Sequence, residues 1–178
     1  MNFKRILVPV TWSTESCSAL AIASDLAEKF GSSLILLHAV QLNIAGEERG
    51  IPRMHLMQQL CQDSEQQLRQ WATNAGVAAG VECVVCEGRP ADVIVERADR
   101  LDVDVIVMGA RGHSRWFRWM HRRTALRVLR SAPCPVWLVS PGRQNEAVVL
   151  TIIDRVPSNN NQQRRLRHEH AHPLPTVV

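Results

Sequence analysis

Apolar residues arrive in short bursts along this chain, separated by stretches of helical period. Phe3-Lys-Arg-Ile-Leu-Val-Pro-Val10 opens the series and reads as a strand. Ser33-Leu-Ile-Leu-Leu-His-Ala-Val40 is the second, and its near-continuous hydrophobicity suits a strand covered on both faces. Val81 to Cys86, Val103 to Met108 and Val136 to Val139 supply three more. Between them the period lengthens. Ser13 or Thr14 caps a helix with Glu15 in its positive first turn; Leu20, Ala23, Ala27 and Phe30 line one face, and Gly31 ends it. A polar connection over 41–53 leads to a helix from Met54 to Ala75. Its stripe is Met57, Leu60, Cys61, Leu68, Trp71 and Ala75, and Gly76 is its stop. Pro90 starts a short helix through Ile94 and Ala98, and Thr124 to Leu129 forms the last before Ala132-Pro-Cys-Pro135.

This alternation predicts a mostly parallel sheet with helices on both faces. Ligands of such sheets lie beyond the strand carboxyl ends, where the strand order reverses. Gly109-Ala-Arg-Gly112, directly after the fourth strand, is a glycine loop of the kind that brings backbone against a phosphate. The candidate site is therefore Val10 and Thr11 after the first strand, Val40 after the second, and Met108, Gly109, Arg111 and Gly112 after the fourth. After nine intervening residues the pair Arg122-Arg123 joins them.

The 178 residues suit one domain of ordinary globular composition, 46% hydrophobic and 21% charged. No apolar run is long enough to span a bilayer and no secretory signal pattern opens the chain, so the expected location is cytoplasmic. Charge changes the picture more. The net value of +4 conceals seven arginines between Arg111 and Arg130 with no acid among them, which leaves the rest net acidic. Within that stretch Arg115-Trp-Phe-Arg-Trp-Met-His-Arg-Arg123 interleaves basic and aromatic residues. It reads either as a loop packed on the sheet with solvated arginines, or as a contact surface for a phosphate-bearing or acidic protein partner.

Five scattered cysteines read as reduced thiols. Cys83 and Cys86 sit three apart in a strand and face opposite sides, so they do not make half a zinc site. Cys134, between two prolines, reads as structural, and His38 as a packing or loop-bonding residue. His168, His170 and His172 lie in a polar tail expected to be disordered. No metal site is expected. No nucleophile elbow, Walker A loop or His-Glu-x-x-His is present, and Gly112-His-Ser114 offers no triad geometry. A binding protein, not an enzyme, is the expectation.

Lys4 to Val10, Leu36 to Val40, Gly88 to Ala91, Ala98 to Gly112 and Ala125 to Val136, in this order and spacing, resemble the universal stress protein family over residues 3–140. The resemblance implies a Rossmann-like fold of the adenine nucleotide alpha hydrolase type. Its sheet is a five-stranded parallel one of order 3-2-1-4-5. It places the domain at 1–142; the residues beyond it, 143–178, read by their own composition as an extension with a candidate strand at 147–153, at a sheet edge or between subunits, and a flexible basic, His-containing tail. It also implies a homodimer through the strand at 136–139.

The family's ATP-binding group is similar in having Gly-x2-Gly-x9-Gly-Ser/Thr after the fourth strand and an Asp after the first. Here Gly109 and Gly112 match, but Arg122 and Arg123 stand at the third glycine and the hydroxyl, Thr11 at the Asp, and Trp12 where a small residue is usual. Arg122 adds bulk to the cradle, Thr11 lacks the charge, and Trp12 is positioned to fill nucleoside volume. Thr124 replaces the hydroxyl only through a register shift that the Ala125 to Pro135 match opposes. The expectation is thus a stress-response or regulatory binding protein without ordinary ATP binding. Two alternatives stand beside it: an ATP-binding switch with at most weak hydrolysis, and a nucleic-acid or anionic-surface binder working through 115–123.

Overall fold

A computed structural model describes residues 3–41, 53–77, 80–109, 124–141 and 147–152. The elements run β1 (Arg5–Pro9), α1 (Thr14–Phe30), β2 (Ser33–Val40), α2 (Arg53–Asn74) and β3 (Glu82–Glu87). There follow α3 (Pro90–Arg100), β4 (Val105–Gly109), a helix α4 over 124–131, β5 (Val136–Pro141) and β6 (Ala147–Ile152). Among the described residues they form one sheet of order β3-β2-β1-β4-β5-β6. The first five strands in that order are parallel, as the alternating pattern and the resemblance imply.

Period-two alternation splits the core into two layers. Ile6, Val8, Leu34, Leu36, Val105 and Val107 face α1 and α2, where Ala19, Leu20, Ala23, Leu68 and Ala72 meet them. Leu7, Ile35, Leu37, Ile106 and Met108 face the other way, against Ala91, Ile94 and Ala98 of α3 and Ala125 and Val128 of α4. Cys83 packs with the first layer and Cys86 with the second, on opposite faces as the strand period requires.

Several boundaries and stripes shift for identifiable reasons. Val103 and Asp104 precede the fourth strand: the Val103 amide donates to Ala98 O at 3.0 Å, closing the end of α3. The Asp104 carboxylate accepts from the amides of Lys4 and Arg5 at 2.7 and 2.9 Å, and its own amide donates to Arg5 O at 3.0 Å. Asp104 thereby pins the starts of β1 and β4 together. On α2, Ser64 and Ala72 are buried while Ala75 is exposed, because the helix ends before residue 75 reaches the sheet. Phe30 sits at the edge of α1, edge-on to Phe3 at 5.7 Å.

The candidate strand at 147–153 forms as β6 over 147–152, antiparallel to β5 from Val136↔Ile152 to Pro141↔Ala147. This bears on the expected dimer edge. A strand has two edges, and β4 and β6 take both of those of β5. Val136 to Val139 therefore offers no open ladder to a second copy unless β6 leaves. Residues 143–146 and 153–178 lie outside the described residues. No helix among the described residues is long and apolar enough to cross a membrane.

Cys134 is held beside the start of β4 in the turn before β5. Burial pushes its thiol up to about 12, with the Asp104 charge adding to the effect. The thiolate is the nucleophile, so this cysteine is inert at neutral pH. Thiol titration of the native protein is expected to modify exposed Cys17 first and to leave Cys86 and Cys134 until denaturant is added. Fast labelling of native Cys134 contradicts the burial. The same raised value predicts that this residue's contribution to stability falls as pH climbs from 9 toward 12. Over that range the thiol ionises in the unfolded chain before it does so in the folded one.

Candidate functional site

The parallel sheet sends the carboxyl ends of β1, β2 and β4 to one side of the molecule, and α1, α3 and α4 begin there. Their amino-terminal ends carry unsatisfied N–H groups and positive partial charge. Between them lies a cavity of about 180 Å³. Pro9 and Val10 floor it from β1, Leu37, Ala39 and Gln41 from β2, and Met108 and Gly109 from β4. Pro90 and Ile94 of α3 and Thr124 at the start of α4 complete the far wall. A larger, more open depression over Met54, Met57, Gln58 and Glu87 lies along α2 and the end of β3, away from the amino-terminal ends of α1, α3 and α4.

The near wall is the turn from β1 into α1. Val10 N–H donates to Leu37 O at 2.8 Å, and the Val10 carbonyl accepts from His38 Nδ1 at 2.9 Å. His38 is thus the loop-bonding residue expected. Trp12 then takes a left-handed backbone, φ 54°, which turns the chain into the helix. An aromatic residue resists that conformation. Its ring offsets the strain by lying on His38 at 4.9 Å and edge-on to Trp71 at 6.1 Å. Trp12 is 39% exposed and lies outside the cavity lining, so its ring does not fill this cavity. The packing of α2 draws the ring away.

Ser13 caps α1, its Oγ accepting from Ser16 N–H at 3.3 Å. Ser16 Oγ accepts from Thr11 N–H at 3.0 Å, and the hydroxyls of Thr11, Ser13 and Ser16 lie 3.1–3.4 Å apart. This triangle of hydroxyls borders the cavity.

Glu15 is the residue that sequence reasoning placed but did not use. It is only 5% exposed, and it lines the cavity beside the hydroxyls. Its backbone and Cβ press against the end of β4: a Cβ built on Gly109 would stand 2.6 Å from Glu15 Cβ and 2.8 Å from its carbonyl carbon. Gly109 is a glycine because the first turn of α1 occupies the space of a side chain. The first-turn acid was legible at 13–16; its burial was not, because it depends on how α1 lies against β4.

Of the other expected site residues, Val10, Thr11, Met108 and Gly109 meet around this cavity. Val40 is buried at the end of β2 and accepts from Gly88 N–H at 2.9 Å, outside the lining. Arg111, Gly112, Arg122 and Arg123, with the whole of 115–123, lie outside the described residues. Of the acid-free arginine stretch, Arg127 and Arg130 are described, and Arg127 carries an ion pair. It pairs with Asp92 at 3.0 Å and ties α4 to α3.

A family model, the universal stress protein family, matches residues 2–140. The chain belongs to the universal stress protein family. A universal stress protein of Synechocystis sp. is 30% identical over 140 residues, covering 77% of this chain and 85% of that one. Among solved structures, the universal stress protein UspA from Lactobacillus plantarum superposes with a TM-score of 0.64 at 24% identity, over 78% of this chain and 98% of that one. A universal stress protein from Archaeoglobus fulgidus, solved in complex with dAMP, gives a TM-score of 0.51 at 23% identity, over 78% and 98%. For this universal stress protein the described cavity lies where the family's glycine loop begins, and its wall carries an acid at residue 15 instead of residue 11.

Proposed function

We propose that this universal stress protein binds an adenine nucleotide at the carboxyl ends of β1, β2 and β4, and that it acts by binding, without chemistry of its own. The observation that supports this reading is the composition of the cavity. Its inner part is apolar, from Val10, Leu37, Ala39, Ile94 and Met108, which suits the faces of a base. Its rim carries the Thr11, Ser13 and Ser16 hydroxyls and the beginnings of three helices, which suit a sugar and phosphates. At about 180 Å³ it takes one end of such a ligand and leaves the phosphate end at Gly109 and Thr124.

Two of the departures that argued against a nucleotide lose their force. Trp12 is drawn onto His38 and Trp71, and the negative charge absent at Thr11 is present at Glu15. The A. fulgidus relative in complex with dAMP is a precedent on the same fold.

Titration with ATP in magnesium buffer is expected to give saturable binding with a micromolar Kd, competed by AMP. Ala39→Phe, which fills the cavity from β2, is expected to weaken it by at least about tenfold, or ~1.4 kcal/mol. Absence of binding by the unaltered protein, or an unaffected Ala39→Phe variant, removes the reading.

A further inference from the structure

We infer that the outer edge of β6 is where a second copy of this chain docks, strand against strand and antiparallel, so that two sheets become one. The backbone bonds decide which groups face that edge. Ile106 N–H donates to Pro135 O at 3.0 Å, and Ile106 stands opposite Val136. In a parallel ladder this turns the N–H and C=O groups of Trp137 and Val139 toward β4, and those of Val136, Leu138 and Ser140 the other way, toward β6. Their opposite residues, Ile152, Leu150 and Val148, return those bonds. The N–H and C=O groups of Ala147, Val149 and Thr151 therefore point outward. Among the described residues no strand lies beyond β6 to receive them.

Native sheets blunt such an edge with charge, proline, a bulge or a covering element. Ala147-Val-Val-Leu-Thr-Ile152 has no charge, proline or glycine in its 6 residues, and its ladder on β5 runs without a bulge. The opposite edge of the sheet, β3, begins and ends on an acid, Glu82 and Glu87. An unguarded ladder accepts an added strand, and the composition of β6 says which one. A two-fold axis through Val149 sets this residue opposite its own copy and Ala147 opposite the partner's Thr151. That register brings every outward-facing residue of one β6 against an outward-facing residue of the other, and each such pair exchanges two bonds. Val148 then stands opposite the partner's Leu150, an aliphatic pair. A charge at the axis meets its like, so an uncharged strand is what self-pairing requires. β6 lies beyond residues 2–140, which the family model matches. The edge therefore belongs to this chain's own extension and is distinct from the strand at 136–139.

The test is sedimentation velocity of the full chain over about 1 to 100 micromolar protein, the weak end of protein interfaces. Unaltered protein is expected to pass from monomer to dimer as its concentration rises. Val149→Lys puts like charges face to face at the axis, and Val149→Pro removes an outward N–H that β5 does not use. Each is expected to raise the dimer dissociation constant at least about tenfold. Glu82→Lys, a charge change at the opposite edge of the sheet, is expected to leave that constant unchanged. Leu150→Pro removes an amide that serves β5, frees the strand, and is expected to weaken the dimer as well. Unaltered protein that stays monomeric throughout the range overturns the inference. So does a dimer that Val149→Lys leaves intact. A dimer that survives Leu150→Pro lies on the uncovered edge of β5 and overturns it too. Circular dichroism checks the fold of each variant, and Val149→Lys decides the matter if a proline variant does not fold. None of these outcomes bears on the nucleotide reading, which the ATP titration tests separately.

Discussion

Gly109→Val is expected to destabilise the protein by about 2–3 kcal/mol, the upper part of the range for forced overpacking, and to abolish the nucleotide binding proposed for the cavity. The first atom added already fails to fit. A Cβ at this position stands 2.6 Å from Glu15 Cβ, 2.8 Å from Glu15 C and 2.9 Å from Glu15 O. Two of those three atoms are backbone, so a rotamer change on Glu15 does not relieve the contact. Either β4 or the first turn of α1 has to move, and both are anchored. β4 is laddered to β1 and β5, and α1 is capped by Ser13 and packed through Ala19, Leu20 and Ala23. A displaced α1 carries the hydroxyls and Glu15 with it. Gly31→Ala separates sterics from backbone strain. Gly31 has φ 65° with nothing near its missing Cβ, so its replacement costs only the strain of the left-handed conformation, about 1 kcal/mol. Thermal melting of the two variants beside the unaltered protein is the measurement. Equal shifts would mean that the close approach of α1 to β4 is relaxed in solution.

Ile106→Ala is expected to cost about 3–4 kcal/mol, within the range for large-to-small changes in a core. Ile106 is fully buried on β4, between β1 and β5, and its side chain belongs to the layer covered by α3 and α4. Its amide donates to Pro135 O at 3.0 Å, so the residue also joins the turn before β5 to the sheet. The backbone bonds survive the substitution, and the loss is therefore burial plus the cavity left by the missing atoms. That void cannot collapse easily, because a sheet interior flanked by strands on both sides has little freedom to close. Leu126→Ala provides the contrast: Leu126 is 51% exposed on α4, and its change is expected to stay within about 0.5 kcal/mol. Urea denaturation midpoints distinguish the two. A loss under about 1 kcal/mol for Ile106→Ala would show that the layer repacks.

Most of the strands and helices were legible because their signals are local. The near-continuous apolar run Leu34 to Val40 required a strand covered on both sides, and β2 is one. Ser13, Gly31 and Pro90 marked helix ends through their own backbone preferences, and each marks one here. Features that failed locally did so for non-local reasons. Val103 and Asp104 continue an apolar alternation, yet Asp104 serves the amides of Lys4 and Arg5 from nearly a hundred residues away in the chain. The run at 147–152 announced a strand without a direction, and antiparallel pairing on β5 comes only from the folded sheet.

By itself the sequence determined the succession of strands and helices, the parallel sheet and the family, because periodicity, caps and spaced motifs are properties of neighbouring residues. Tertiary structure alone decided that Trp12 leaves the cavity for His38 and Trp71, that β6 takes the edge of β5, and that Glu15 is buried against Gly109. Each of these depends on which distant element lies alongside. A helix first turn reads the same in sequence whether it faces water or a strand end, and only the packing of α1 on β4 turns an ordinary first-turn acid into a buried residue pressed against Gly109.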